Sequence, residues 1–225
     1  MLKKESDYGR FVMNTKRKAL LIHGFLGNSY VMQLLALRLR TSGYTVVFYD
    51  YPMYPSMEDL TTNFLKKVEE EKPYAVIGHS LGGVMIAKQL RPLDDLGVKV
   101  AVCLGSPLSR CILAEIITKS PIGFLVSDAV KQMLIPKTEI HEGNIRLGMI
   151  AGKNSGLFLK LLFPYLRGNG DGLVRLKETD HEKLTHRIEL NADHLTLISP
   201  ALVYEQLEYF ISLGRFSPWL EEQNG

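Results

Sequence analysis

The stretch YAVIGHSLGG, residues 74–83, joins a strand pattern to a helix pattern through a turn that contains a serine. Apolar and β-branched residues before the turn predict a buried strand, and the residues after it predict a helix. Gly78-His79-Ser80-Leu81-Gly82 fits G-x-S-x-G in the strand–turn–helix context that this motif requires. That placement argues against a chance match in a loop. We therefore predict that Ser80 is a nucleophile held on a strained turn, with small glycines around it to avoid clashes.

Strand-like and helix-like segments alternate on both sides of this turn. The predicted strands span residues 18–22, 45–49, 74–78, 98–104, 145–151 and 186–190, and the predicted helices span residues 30–41, 57–71, 81–90 and 195–213. We expect Pro92 to close the helix over 81–90. Such alternation predicts an α/β fold, with a mostly parallel central sheet and helices on both faces. A length of 225 residues fits one domain, residues 1–225.

Residues 107–144 interrupt this alternation, and we call them the insertion. They are too many for a plain strand-to-helix connection and carry many apolar side chains, as functional caps or lids do. A second apolar segment, LFLKLLFPYL, spans residues 157–166. The insertion is predicted to be a helical cap or lid, although both segments are equally compatible with ordinary core helices.

A resemblance to a known family rests on two motifs. Ile22-His23-Gly24-Phe25-Leu26-Gly27, followed by residues 78–83, resembles the α/β-hydrolase superfamily, and within it the lipases and esterases. This resemblance implies the α/β-hydrolase fold and an oxyanion hole built from the backbone N–H groups of Phe25 and Leu81. His23 is interpreted as a residue that shapes the loop, because the catalytic histidine of this fold comes last in the chain.

The catalytic base is sought after Ser80, because chain order in this fold is Ser, then Asp or Glu, then His. His194 lies in NADHLTLI, after the last predicted strand and ahead of the last predicted helix, which resembles the histidine loop of lipases. His186 would begin a strand, His181 lies in a charged run expected to be solvated, and His141 belongs to the insertion. His194 is therefore the predicted base.

Asp171, in GNGDGLV, is the predicted acid. Flanking glycines give a strand-end turn the freedom to aim a carboxylate at an imidazole. The stretch from Asp171 to His194 also resembles the D-G-x-V … D-H segment of bacterial lipases. Asp180 and Asp193 are alternatives, and GNGDG is also compatible with a plain turn or a calcium-like loop.

Composition and charge limit the partners, cofactors and cellular location that we expect for this protein. The formal net charge is +3, without a Lys/Arg stripe interleaved with aromatics, so we expect no nucleic-acid partner. Cys103 and Cys111 lack metal-ligand and CxxC spacing and are predicted to be reduced packing thiols, with a disulfide between them as the less favoured alternative. No secretory signal or bilayer-length segment is visible, so we expect a cytoplasmic protein. The predicted chemistry needs no metal and no organic cofactor.

The sequence thus predicts a carboxylic ester hydrolase that acts on small molecules through an acyl-enzyme. The apolar insertion suggests a substrate with an apolar acyl or alcohol group, and it is compatible with peripheral contact at a membrane or lipid surface. Three alternatives stay open. They are an acyltransferase or thioesterase with the same triad, a non-catalytic binding protein of this fold, and a serine-dependent C–C hydrolase or dehalogenase.

Overall fold

A parallel sheet of six strands forms the centre of the part that the structure describes. The computed structural model describes residues 17–141, 143–156, 169–199 and 201–217. The strands are β1 (Lys18–Ile22), β2 (Thr45–Tyr49), β3 (Ala75–His79), β4 (Val100–Leu104), β5 (Arg146–Gly152) and β6 (His186–Leu190). They pair in the order β2-β1-β3-β4-β5-β6, each parallel to its neighbours. Since all strands run the same way, their carboxyl ends meet at one edge of the sheet.

Helices follow most of the strands. Within the described residues they are α1 (Gln33–Thr41), α2 (Met57–Leu60), α3 (Thr62–Glu71), α4 (Leu81–Lys88), α5 (Leu90–Asp95), α6 (Ile112–Thr118), α7 (Asp128–Leu134) and α8 (Ala201–Leu213). Short 3₁₀ turns occupy Ser29–Met32, Gly123–Leu125, Leu176–Thr179 and Thr196–Ile198. In this part of the chain, no helix combines the length and the apolar character that crossing a membrane requires.

Two apolar cores lie on opposite faces of the sheet, because alternate strand residues point to opposite sides. Leu20 and Ile22 of β1 join the core that α3, α4, α6 and α7 cover. Ala19 and Leu21 join the other core, which α1 and α8 cover. The predicted α/β fold, with a parallel sheet covered on both faces, is therefore confirmed.

Three helix predictions differ from the structure. The helix predicted over 57–71 breaks at Thr61, whose φ of −129° and ψ of −82° are not helical. The helix predicted over 195–213 begins as a 3₁₀ turn, and α8 starts at Ala201. Pro92 does not close a helix, since α4 ends at Lys88 and Pro92 lies in the first turn of α5. Proline is tolerated there because the first N–H groups of a helix have no intrahelical acceptor.

The insertion contains α6, the 3₁₀ turn Gly123–Leu125 and α7. Its first helix is attached to the body of the protein through Glu178, whose Oε1 accepts a hydrogen bond from Ile112 N at 3.4 Å. The Glu178 carbonyl accepts another from Ser109 N at 2.9 Å. The boundaries 107–144, the role of a cap and the single domain over 1–225 stay proposals. The apolar segment 157–166 lies outside the described residues.

Candidate active site

Ser80 occupies the turn between β3 and α4, in a strained backbone conformation with a positive φ of 52° and ψ of −117°. Its N–H donates to the Leu104 carbonyl at 2.9 Å, which fixes the turn to β4. A Cβ on Gly78 would lie 2.5 Å from the Gly82 carbonyl oxygen, and one on Gly82 would lie 2.7 Å from the His23 carbonyl oxygen. Gly78 and Gly82 are therefore required because any larger side chain at these positions would clash with the backbone. We call residues 78–82 the nucleophile elbow.

Helix α4 packs closely on β4 behind the nucleophile elbow. A Cβ on Gly83 would lie 2.9 Å from the Ser106 Cβ, so this position also excludes side chains. Cys103 Sγ donates to the Gly83 carbonyl at 3.3 Å. Cys103 and Cys111 are both free and buried, and burial raises the pKa of each thiol to about 12.

Asp171 and His194 form a buried hydrogen-bonded pair. His194 Nδ1–H donates to Asp171 Oδ2 at 2.7 Å, and His194 N donates to the Asp171 carbonyl at 2.9 Å. The other carboxylate oxygen, Oδ1, accepts from Leu173 N at 3.0 Å and from Val174 N at 2.7 Å. With Nδ1 protonated toward the carboxylate, Nε2 of a neutral His194 is left as a proton acceptor.

Two glycines at strand ends make this pair sterically feasible. Gly105 follows β4 with φ 57°, and a Cβ there would lie 2.9 Å from Asp171 Oδ2 and 3.4 Å from His194 Nδ1. A Cβ on Gly152, the last residue of β5, would lie 2.7 Å from Asp171 Cβ. Neither glycine belongs to a motif that is recognisable in the sequence. Their position directly at the ends of two predicted strands was the available signal.

The loop after β1 is organised around His23. Its ring is buried and stacks on Tyr51 with centroids 4.1 Å apart, and its Nδ1–H donates to the Gly24 carbonyl at 2.8 Å. Burial lowers the pKa of His23, so the imidazole is neutral at pH 7. Gly27 N also donates to the Gly24 carbonyl, at 3.1 Å, and Leu26 has φ 59°. These contacts agree with a loop-shaping role for His23.

An apolar cavity of about 370 Å³ connects the predicted site residues. Phe25, Ser80 and His194 line it, together with side chains of α6 and α7. Leu81 does not line it, but its backbone forms the first turn of α4 directly after Ser80. Within the described residues the Ser80 hydroxyl makes no hydrogen bond. Serine–histidine contacts often tighten only when substrate binds, so this geometry is compatible with a nucleophile and its base.

None of the alternative acids and bases lines the cavity. The Asp193 carboxylate accepts from Leu195 N and Thr196 N, at the start of the 3₁₀ turn that follows it. His186 is exposed at the start of β6. The expectation of a solvated His181 is wrong: this ring is buried, and its Nε2–H donates to the Thr138 carbonyl at 3.0 Å. Neither of these histidines lines the cavity.

Sequence reasoning also overlooked His79, which it treated as a variable position of the motif. Its buried ring lines the cavity and lies 4.7 Å from the ring of His194, centroid to centroid. No grouping of His, Cys, Asp and Glu suitable for a metal ion occurs in the described parts of the chain.

Comparison with known proteins places this architecture in a family. The model of the alpha/beta hydrolase family matches residues 19–181, which include the loop after β1, the nucleophile elbow and the Asp171 loop. The chain belongs to the alpha/beta hydrolase family. A comparison of this hydrolase with curated proteins finds no match.

Solved structures share the fold of this hydrolase at low identity. The mature form of Bacillus licheniformis lipase BlEst2 matches with a TM-score of 0.70 and 20% identity, over 92% of this chain and 92% of that one. Its propeptide form matches with a TM-score of 0.74 and 20% identity, over 88% of this chain. The hydrolase spans 50% of the length of that propeptide form.

Two further structures extend the comparison. The metagenomic carboxyl esterase MGS0156 matches with a TM-score of 0.60 and 16% identity, over 81% of this chain and 65% of that one. Tomato methylketone synthase I, in complex with 2-tridecanone, matches with a TM-score of 0.56 and 16% identity, over 88% of this chain and 98% of that one. At such identities the similarity establishes the shared fold.

Proposed function

We propose that this hydrolase cleaves carboxylic esters through an acyl-enzyme, with Ser80, His194 and Asp171 as its catalytic triad. The observation that carries the proposal is the buried 2.7 Å hydrogen bond between His194 Nδ1 and Asp171 Oδ2. His194 and Ser80 lie on the wall of the same cavity, which supports their action on one substrate. The lipase and esterase structures that share the fold favour esters over other bonds.

The chemistry follows from these roles. Ser80 Oγ attacks the acyl carbon while its proton passes to His194 Nε2, and Asp171 stabilises the resulting imidazolium. The proton then passes from His194 to the departing alcohol oxygen as the acyl–oxygen bond breaks. Water attacks the acyl-enzyme, gives its proton to His194 and releases the carboxylic acid, after which the proton returns to Ser80.

The oxyanion of the tetrahedral intermediate is proposed to bind the N–H groups of Phe25 and Leu81. Neither N–H donates a hydrogen bond within the described residues, and Leu81 opens α4, where N–H groups have no intrahelical acceptor. The partial positive charge of a helix N-terminus favours the developing negative charge. One such donor is typically worth about 3 kcal/mol in the transition state.

The substrate is proposed to be a small molecule with an apolar acyl or alcohol group. Among the described residues that line the cavity there is no lysine, arginine, aspartate or glutamate, and most are aliphatic. The binding of 2-tridecanone by a protein of the same fold supports an apolar ligand. We also propose that the insertion contacts a lipid surface. The two buried free thiols support a cytoplasmic location, which we propose as well.

Labelling with a fluorophosphonate probe tests the nucleophile. We expect the folded protein to be labelled and Ser80→Ala to be unlabelled, because the probe reacts with an activated serine. His194→Asn and Asp171→Asn should each lower kcat for p-nitrophenyl esters by about a thousandfold or more. His186→Asn and Asp180→Asn change a histidine and an aspartate outside the triad and should leave kcat unchanged.

A substrate panel separates the remaining functions. Hydrolysis of p-nitrophenyl esters that improves with acyl length supports an apolar acyl site, whereas a sharp preference for acetate argues against it. Faster release of product when an alcohol is added would favour an acyltransferase. Faster turnover of a thioester than of the matching ester would favour a thioesterase. A folded protein that neither reacts with the probe nor turns over any ester would instead be a binding protein.

A further inference from the structure

His79 is the buried polar residue next to Ser80 that the proposed triad does not use. It ends β3, and 6% of it is exposed. Its Nε2–H donates to the backbone carbonyl of His194 at 2.9 Å, across 115 positions of the chain. The side chain of one residue of the nucleophile elbow therefore holds the backbone of the proposed base.

No other hydrogen bond among the described residues connects the nucleophile elbow with the His194 loop (residues 191–195). The remaining bonds of His194, through Nδ1 and through its backbone N, both lead to Asp171. They fix the imidazole relative to the acid, but not relative to the serine. The nucleophile elbow begins at the carboxyl end of β3 and the His194 loop follows β6, and β4 and β5 lie between these two strands in the sheet. No direct strand pairing therefore joins β3 to β6.

His79 is suited to this role because it stays neutral. Burial, followed by the charges of His194 and His23, lowers its pKa to about 3. It therefore does not compete with His194 for the serine proton at neutral pH. Its Nε2 is occupied by the His194 carbonyl, and its Nδ1 lies 3.1 Å from where a Cβ on Gly24 would be.

We infer that His79 is a positioning residue, which holds the His194 loop on the nucleophile elbow and so sets the distance between Ser80 and His194. This inference rests on the proposed function, because it assigns the purpose of the contact to proton transfer between those two residues. Misplacing a catalytic group by about 1 Å can cost about a hundredfold in rate, which sets the scale of the effect.

Two substitutions of His79, one that removes the N–H donor and one that keeps it, test the inference. His79→Phe keeps a flat ring and loses the N–H, whereas His79→Gln keeps an N–H donor at a similar reach. With active sites counted by fluorophosphonate titration, we expect kcat of His79→Phe to fall about 10- to 100-fold with KM changed less than about threefold. His79→Gln should recover most of kcat.

His181→Phe is the matched control, since His181 is also a buried histidine that donates Nε2–H to a backbone carbonyl, that of Thr138. It should lose thermal stability while kcat per titrated site stays at the wild-type value. If His79→Phe behaves like His181→Phe, or if His79→Gln is as slow as His79→Phe, the inference is overturned.

A readout independent of turnover keeps the inference distinct from the proposed function. The downfield proton resonance of His194 Nδ1–H and the exchange rate of the Leu195 amide report the order of the His194 loop. We expect His79→Phe to weaken the former and accelerate the latter, with His79→Gln near wild type. Wild-type protein no more active than Ser80→Ala would refute the proposed function, whereas an unchanged His194 loop in His79→Phe would refute the positioning role.

Discussion

At the scale of single residues, Gly105 shows how the absence of a side chain shapes the site. It has a positive φ of 57° directly after β4, and the carboxylate of Asp171 and the ring of His194 pass beside its Cα. Both the conformation and the space at this position exclude other residues. The predicted acid and base can meet because this strand end has no Cβ.

Gly105→Ala should therefore damage both stability and activity. A Cβ would lie 2.9 Å from Asp171 Oδ2 and 2.7 Å from Leu197 Cδ1. We expect a destabilisation of more than about 2 kcal/mol, since a left-handed conformation alone costs an alanine about 1–2 kcal/mol. The kcat for a p-nitrophenyl ester should fall at least about tenfold. Urea unfolding and steady-state kinetics measure the two effects.

Gly97→Ala is the control for this change. Gly97 also has a positive φ, of 88°, but no heavy atom lies within 4 Å of the position of its added Cβ. It should show the conformational cost of about 1–2 kcal/mol and an unaltered kcat. Equal effects of the two variants on kcat would show that crowding at Gly105 does not matter for the site.

The turn at Ser80 was predictable from a local pattern, and the pairing of Asp171 with His194 from the family resemblance, whereas positions that carry neither signal were missed. Ser80 was predictable because strand, turn and helix are adjacent in GHSLGG. The roles of Gly105 and Gly152 depend on Asp171 and His194, which reach them from other loops. His79 was overlooked because its acceptor, the His194 carbonyl, lies 115 positions away.

At the scale of elements, helix α6 has one face that lines the cavity and another that is partly exposed to solvent. Leu113, Ala114 and Ile117 line the cavity, whereas Ile116 does not and is 41% exposed. The spacing of three to four residues places 113, 114 and 117 on one side of a helix. We therefore predict that this face of α6 limits the length of the proposed substrate.

Ala114→Leu should shift the preference toward shorter acyl chains. The change adds about three methylene-sized groups to the cavity wall, and each methylene that a substrate can no longer bury costs about 0.8 kcal/mol. The ratio of kcat/KM for a long ester to that for acetate should fall about tenfold or more. Kinetics on a series of p-nitrophenyl esters gives this ratio.

Ile116→Phe makes a comparable addition to the exposed face of α6 and serves as the control. Its selectivity should equal that of the wild type, because this side chain does not line the cavity. If Ala114→Leu leaves the preference for acyl length unchanged, the acyl chain does not lie against this face of α6.

Element boundaries were less predictable than element types. Strands β1, β2 and β6 match their predicted spans. Pro92 was expected to end a helix, but α4 ends at Lys88 before the proline is reached, and Pro92 enters the first turn of α5. Apolar periodicity cannot distinguish one helix from two that share a buried face, and α4 and α5 both contribute residues to the same core.

At the scale of the whole molecule, buried histidines couple the stability of the fold to pH. Burial lowers the pKa of His79 to about 3 and also lowers that of His23, from the ordinary histidine value of 6.5 in both cases. Between about pH 6.5 and pH 3 the unfolded chain therefore binds protons that the folded chain does not. The free energy of unfolding should fall as the pH falls through this range.

His79→Gln should flatten this dependence by one proton. The slopes of the free energy of unfolding against pH should differ by about 1.4 kcal/mol per pH unit below pH 6. Urea unfolding at several pH values measures both slopes, and a constant offset between the two proteins does not affect the comparison. Burial raises the pKa of Glu178, an effect of opposite sign that is common to both proteins. Parallel slopes would mean that His79 is protonated in the folded state.

The insertion leaves the sheet after β4 and returns at β5, its neighbour, and carries none of Ser80, Asp171 and His194. Recombination between related genes could therefore exchange the insertion and change the range of substrates. The proposed catalytic residues would stay in place. The insertion is nevertheless tied to the rest of the protein by hydrogen bonds, among them those from Ser109 and Ile112 to Glu178. Glu178 lies beyond the exchanged segment, so a functional chimera must inherit a matching acceptor at that position together with its new helices.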